Sequence, residues 1–180
     1  VHMVSEGYAD EFIAFCSHPP VVTLGRATQE GDLTSLKGEV VEIQRGGRAT
    51  YHGPSQVVAY PILDLTKRGR DLHAFIRNIE KAVIEVLAEY GVQAHISEGN
   101  TGVWIGPKKI ASIGIAVKKW ISYHGVAVNI DHDPHAFQGL KPCGFSTETM
   151  VSLEELIGKK VDHHEFQSKL YNRFTVYFTT

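Results

Sequence analysis

Cys143 stands in Gly139-Leu140-Lys141-Pro142-Cys143-Gly144-Phe145-Ser146-Thr147. The proline before it and the glycine after it keep it out of a long helix or strand. A structural cysteine is usually a small buried hydrophobe on an apolar stripe, and no such stripe surrounds this one. A thiol on a turn, in a chain that also carries histidines and lysines, is the pattern of a nucleophile. A second reactive group opens the run Lys109-Ile110-Ala111-Ser112-Ile113-Gly114. In a regular pleat Ile110, Ser112 and Gly114 face one side, and Lys109, Ala111 and Ile113 face the other. The small residues leave space beside the strand. An ammonium projecting into it would favour a nearby thiolate or, once desolvated, take part in proton transfer. Lys108 fits the usual fate of a lysine at a strand end, which is solvation.

Between two β-like runs lies Arg45-Gly46-Gly47-Arg48-Ala49-Thr50-Tyr51-His52-Gly53-Pro54-Ser55-Gln56. Its glycines let the backbone approach a ligand closely. A plain hairpin loop explains the glycines but not a tyrosine and a histidine in the middle, so a substrate-lining loop is the better reading. It lacks the spacing of a phosphate-binding loop. Tyr-His-Gly recurs at Tyr123-His124-Gly125, within Ser122–Asn129. The 10 histidines raise the question of a metal. Neither His-x-x-x-His nor Cys-x-x-Cys spacing occurs, so no metal site is expected.

The elements that must position these groups follow from periodicity. Residues 11–16, 21–24, 40–44, 56–65, 102–105, 109–117 and 120–130 read as strands, with turns at Gly106-Pro107 and Lys118-Lys119. Residues 71–90 read as a helix, with Leu72, Phe75, Ile76, Ile79, Val83, Val86, Leu87 and Tyr90 at i, i+3, i+4 spacing, Asp71 as N-cap and Gly91 as stop. Ser152 and Glu155 have capping-box spacing, and residues 163–174 read as a last helix. Strands in runs argue for an α+β domain, a mixed or antiparallel sheet with helices packed on it.

The bulk composition agrees. The chain has 180 residues, is 43% hydrophobic and 21% charged, and carries a formal net charge of -2. One globular domain over 1–180 is expected, with Val1-His2-Met3 set aside as cloning residue. Such a charge does not suggest a nucleic-acid binder, and neither a membrane span nor a secretory signal is seen. Two cysteines do not make a disulfide framework, and a cytoplasmic location fits a free thiol.

Taken together, the motifs resemble the octanoyltransferase (lipoyl/octanoyl-protein transferase) family. The resemblance rests on Arg45-Gly46-Gly47 through Thr50-Tyr51-His52-Gly53-Pro54, Lys109–Gly114, His124-Gly125-Val126-Ala127-Val128-Asn129 and Pro142-Cys143-Gly144, with His18-Pro19-Pro20 and Thr23-Leu24-Gly25 ahead of them. These stand in the family's order over roughly residues 10–160. Ser55 departs from the family's usual glycine. The resemblance implies a biotin/lipoate-protein ligase-like fold and transfer of an octanoyl group from octanoyl-acyl carrier protein. The implied acceptors are lipoyl domains of 2-oxoacid dehydrogenase complexes and the glycine cleavage H protein. It implies Cys143 as the thioester-forming nucleophile and Lys109 as its partner. Substrate contacts fall on Arg45, Gly46, Gly47, Arg48, Ala49, Thr50, Tyr51 and His52, on Ser112, Ile113 and Gly114, and on Gly125, Val126 and Ala127, with His124 in support. It implies a monomer that needs no cofactor. An ATP-dependent lipoate or biotin ligase, or a lipoyl-protein amidotransferase, on the same fold remains the alternative. Gly46, Gly47, Gly114, Ala116 and Ala127 are small enough to line an acyl tunnel. The basic turns Lys67-Arg68-Gly69-Arg70 and Lys118-Lys119 would either steer an acidic carrier protein or simply aid solubility.

Overall fold

The computed structural model describes residues 1–7, 9–35 and 38–179, with the side chains of His2 and Cys143 outside that description. In chain order come α1 (His2–Ser5), β1 (Phe12–Cys16), β2 (Val21–Leu24), β3 (Glu39–Glu42), β4 (Thr50–His52), β5 (Gln56–Ile62), α2 (Leu72–Glu89), β6 (His95–Ser97), β7 (Asn100–Ile105), β8 (Lys108–Lys118), β9 (Ile121–Asn129), α3 (Leu153–Ile157) and α4 (His163–Phe178). Among these residues, six strands form a sheet in the order β1-β5-β9-β8-β7-β6, with every neighbouring pair antiparallel. A smaller sheet, β3-β2-β4, pairs β2 with β3 in parallel and with β4 antiparallel. This is the mixed α+β architecture expected from the runs of strands.

Helices α2 and α4 cover one face of the large sheet. The Asp71 side chain accepts from the Ala74 N–H and starts α2, and Gly91, at φ +77°, follows its end. Its stripe of Phe75, Ile79, Val83, Val86 and Leu87 is buried in the main core. Phe166, Leu170, Phe174 and Phe178 do the same on α4. That helix runs one turn beyond residue 174, because Phe178 continues the i+4 stripe and packs on Phe75 at 5.1 Å. The expected capping box is present: Ser152 accepts from the Glu155 N–H while the Glu155 carboxylate accepts from the Ser152 N–H.

The other face of the large sheet carries the small sheet, whose own cluster is Val22, Ala49, Phe137, Leu140 and Met150. Two strands went unread in the sequence, β4 inside the glycine-framed loop and the short β6. The β8–β9 turn falls one residue later than expected. Lys119 and Trp120 both take left-handed φ, +51° and +63°, the geometry of a type I′ hairpin without its usual glycine.

Candidate active site

Lys109 occupies a face that a regular pleat would not give it. Val103 pairs with Ala111 and Trp104 with Lys109, so the register shifts and Ile110 becomes an extra residue, a β-bulge. Ile110 and Ala111 both enter the helix-side core, each at 0% exposure. Lys109 is thereby turned onto the opposite face, with Ser112 and Gly114. The expectation that Lys109 shares a face with Ala111 and Ile113 is corrected by this one residue.

On that face Lys109 is buried at 2% exposure. Its Nζ lies 5.2 Å from the Trp104 ring centre and 5.9 Å from that of Phe145, and the two rings meet edge to face. Among the described residues no carboxylate forms an ion pair with it. Its stem crosses Gly102, where a Cβ would fall 2.5 Å from the lysine Cε, so only glycine fits beneath it. Gly102 is itself anchored from the helix layer: the carboxylate of buried Glu80 accepts its N–H at 3.0 Å. The Lys109 carbonyl accepts from the Val151 N–H at 3.1 Å.

A narrow cavity of about 80 Å³ lies between the sheets, room for roughly five to eight water-sized groups. Of the expected contacts, Arg45, Gly47, Thr50, His52, Ser112, Ile113, Gly114, Gly125, Val126 and Ala127 line it, as does His124. Gly46, Arg48, Ala49 and Tyr51 do not, and neither does Ala116. The alternation of β4 explains Tyr51: Thr50 and His52 point into the cavity, and Tyr51 points away to Phe137 and Asp133. There it borders a larger groove of about 910 Å³. That groove is wider but lacks the glycine-bearing strands β8 and β9 that wall the narrow cavity, and Lys109 lines neither.

Arg45 builds the loop as well as lining the cavity. Buried at 6% exposure, its guanidinium donates to the Thr23 carbonyl (2.6 Å) and hydroxyl and to the carbonyls of Gly46 and Arg48. Its stem fills the space over Gly114, where a Cβ would fall 2.9 Å from Arg45 Cδ. Gly125 is required for a different reason, because the Ala59 carbonyl of β5 occupies the place of its Cβ.

His18 and Tyr60 also line the cavity, and Gln56 and Asn129 stand behind His52. Gln56 Nε2 donates to Asn129 Oδ1 (2.9 Å) and to the Tyr51 carbonyl (3.3 Å). Its Oε1 is therefore an acceptor for His52 Nδ1–H at 3.1 Å, leaving His52 Nε2 as the unprotonated nitrogen. Burial depresses the His52 pKa to about 4 against the Gln56 bond, with Arg45, His18 and His124 adding repulsion. Burial and Arg45 likewise lower that of His124, whose φ of +59° is unusual in a strand. His18 Nε2 and the Tyr60 hydroxyl share a 2.7 Å hydrogen bond, and burial pushes Tyr60 up to about 12. His18-Pro19-Pro20 and the motif-ending Asn129 were visible in the sequence, but their partners lie 42 and 73 residues away. Cys16 is a free thiol whose pKa burial raises, the wrong direction for a nucleophile.

Cys143 lies in a single 3₁₀ turn, Pro142–Gly144, and its side chain lies outside the described residues. The Gly144 N–H donates to the Lys141 carbonyl and the Phe145 N–H to that of Pro142, both at 3.0 Å. The Gly144 amide is thus engaged in the turn and is not a ready oxyanion donor. Phe145 brings the turn to Lys109. Of the basic turns, Arg68 is tied to Glu11 and the Phe178 carbonyl and Lys119 pairs with Glu6, so these cations brace the fold.

Residues 1–175 match the family model of the lipoyl protein ligase A/B catalytic domain. The chain is 49% identical over 179 residues to an octanoyltransferase of Bdellovibrio bacteriovorus, covering 90% of this chain and 82% of that one. It is 39% identical to an octanoyltransferase of Geobacter metallireducens, covering 95% and 80%. Among solved structures, a bipartite lipoate protein ligase and its E2 lipoyl domain from Thermoplasma acidophilum matches with a TM-score of 0.73 at 19% identity, covering 98% of this chain and 75% of that one. Lipoate-protein ligase A bound with ATP matches at 0.73 and 16% identity, covering 98% and 77%. At these identities the structures speak for the fold alone.

Proposed function

The chain belongs to the lipoyl protein ligase A/B catalytic-domain family and, within it, to the octanoyltransferases, and we propose that it moves an octanoyl group from octanoyl-acyl carrier protein to a lysine of a lipoyl domain through a thioester on Cys143. The observation that carries this reading is Lys109. A buried cation held, among the described residues, by aromatic faces is costly unless an anion joins it, and a Cys143 thiolate is the anion this reading supplies. Cation–π contacts offset about 2 kcal/mol of such a cost, too little to replace an ion pair in a dry site.

In the first half-reaction the thiolate attacks the octanoyl carbonyl. The new C–S bond forms, the carrier's C–S bond breaks, and its thiol leaves with the proton that the Lys109 ammonium gives up. One thioester replaces another, so the step is close to isoenergetic and no ATP is needed. In the second, the acceptor lysine's amine attacks the acyl-enzyme, the C–N bond forms, Cys143 departs as thiolate and Lys109 takes the surplus proton. Amide formation drives the cycle. The narrow cavity holds the chain, and each methylene buried there is worth about 0.8 kcal/mol. His52 and His124, kept neutral, line the cavity without placing a charge in it. The 2-oxoacid dehydrogenase lipoyl domains and the glycine cleavage H protein are the acceptors on this reading. The enzyme acts as a cytoplasmic monomer without a cofactor. No helix among the described residues is long and apolar enough to cross a membrane.

Intact mass tests the reading. Mixed with octanoyl-acyl carrier protein, the protein should gain one octanoyl group on Cys143, and apo lipoyl domain should then discharge it. Cys143→Ser should do neither. A Cys143→Ser protein fully active with ATP and free octanoate would overturn the thioester in favour of an adenylating ligase. Acylation from an octanoylated lipoyl protein but not from the carrier would make it an amidotransferase.

A further inference from the structure

We propose that Arg48, paired with buried Asp32, is a positioning residue for the nucleophile, clamping the turn that carries Cys143. The inference rests on Cys143 being the acyl carrier. Arg48 belongs to the glycine-framed loop whose Arg45, Gly47, Thr50 and His52 line the acyl cavity, yet its own side chain turns away from it. Its Nε donates to Asp32 Oδ2 at 3.1 Å and its Nη2 to Oδ1, a bidentate pair. Asp32 is fully buried, and the Gln29 N–H donates to the same carboxylate at 3.0 Å. The guanidinium also covers Gly144: a Cβ built on that residue would collide with Arg48 Cζ and Nη1. Gly144 sits at φ +84°, so glycine is required there both by the backbone and by the cation above it.

Asp32 grips the same turn from its other end. Its carbonyl accepts from the Lys141 N–H at 2.8 Å, Leu33 bridges to Leu140, and the Thr34 N–H donates to the Gly139 carbonyl at 2.9 Å. Cys143 therefore lies between two fixed points, Lys141 and Gly144, both referred to Asp32. Arg45 Nη1 donates to the Arg48 carbonyl at 2.7 Å, which ties the clamp to the cavity wall. Nucleophile and acyl cavity are thus registered to one another through a single loop. An exposed ion pair would contribute little, but a bidentate pair with one fully buried partner holds its geometry. Misplacing a reacting atom by about 1 Å costs on the order of 100-fold in rate. A guanidinium also stays charged at any working pH, so it adds a fixed positive charge over Gly144, the residue after Cys143.

The test uses full-length protein carrying Cys16→Ser, so that one thiol is read. Two quantities are measured across pH: single-turnover octanoylation from the carrier protein, and alkylation of Cys143 by iodoacetamide. Arg48→Met should slow octanoylation about 100-fold and move the alkylation midpoint to higher pH. Arg48→Lys should recover the midpoint but not the rate, because it keeps the charge and loses the bidentate plane. Asp32→Asn, which keeps the shape of the buried partner but removes the charge that holds the guanidinium, should repeat the rate loss and covers the case in which Arg48→Met does not fold. Octanoylation of Arg48→Met within about threefold of the parent, with a superimposable pH profile, overturns the inference alone. An absent octanoyl adduct on the parent's Cys143 overturns the thioester reading as well.

Discussion

The two faces of β8 follow opposite rules. Toward the helices, Ala111, Ile113 and Ile115 join a core in which α2 and α4 place large apolar side chains at 0% exposure. Toward the small sheet, Lys109, Ser112 and Gly114 stand where bulk is absent, and the space is taken by Arg45, by the lysine's own stem and by the narrow cavity. On the first face a missing methyl is a loss. On the second, an added methyl is. On the proposed function, one strand serves stability on one side and chemistry on the other, which predicts that the two can be damaged separately.

The sharpest separation is Lys109→Met. Octanoyl transfer should fall about 1,000-fold or more, within the usual range for losing a proton-transfer group. The melting temperature should hold or rise, since a buried charge gives way to a side chain that suits Trp104 and Phe145. Near-parental turnover would end the assignment of chemistry to this face. Ile79→Ala is the mirror case: urea unfolding should show a loss of about 2–5 kcal/mol, while the kcat of the folded fraction stays within about twofold. Gly114→Ala comes next. The new methyl meets Arg45 Cδ and the Gly46 carbonyl, so octanoyl donors should lose about 10-fold in kcat/KM and butyryl donors much less. Equal losses for both chain lengths would mean that Gly114 is not beside the distal chain.

A separate effect, on stability alone, is on pH. The folded-state pKa of His52 is depressed to about 4, from an ordinary value near 6.5. Between those values the unfolded chain binds the extra proton, so stability falls as pH drops through this window, by at most about 3 kcal/mol. His52→Gln should flatten that part of the profile in urea unfolding at pH 7, 5.5 and 4.5. An unchanged slope would show that His52 is not the group responsible.

The helix-side face was legible in the sequence because periodicity reports it directly. The stripe of α2, the Asp71 cap and the Ser152–Glu155 box are all short-range patterns. Much of the cavity face was legible from its glycines and the Tyr-His-Gly pairs. What escaped depends on partners far along the chain. The bulge at Ile110 is set by how two neighbouring residues pack in the core, and nothing local breaks the alternation. Arg48 and Tyr51 looked like their neighbours until the pleat of β4 and the buried Asp32 drew them elsewhere. Gln56 carried no local sign that it would meet Asn129. The turn at Lys119 and Trp120 lacks the glycine or asparagine that would have announced it.

Alternation along a strand is a matter of odd and even, and the placement of Lys109 inherits that binary character. With Ile110 present, the site face holds an ammonium only while the chain between Lys109 and Ser112 keeps its extra residue out of the pairing count. Ironing the bulge flat would send Lys109 into the helical layer, whereas deleting Ile110 would leave it in place. A slip in this strand therefore has no graded outcome: Lys109 is either on the face that meets the small sheet or on the helix side.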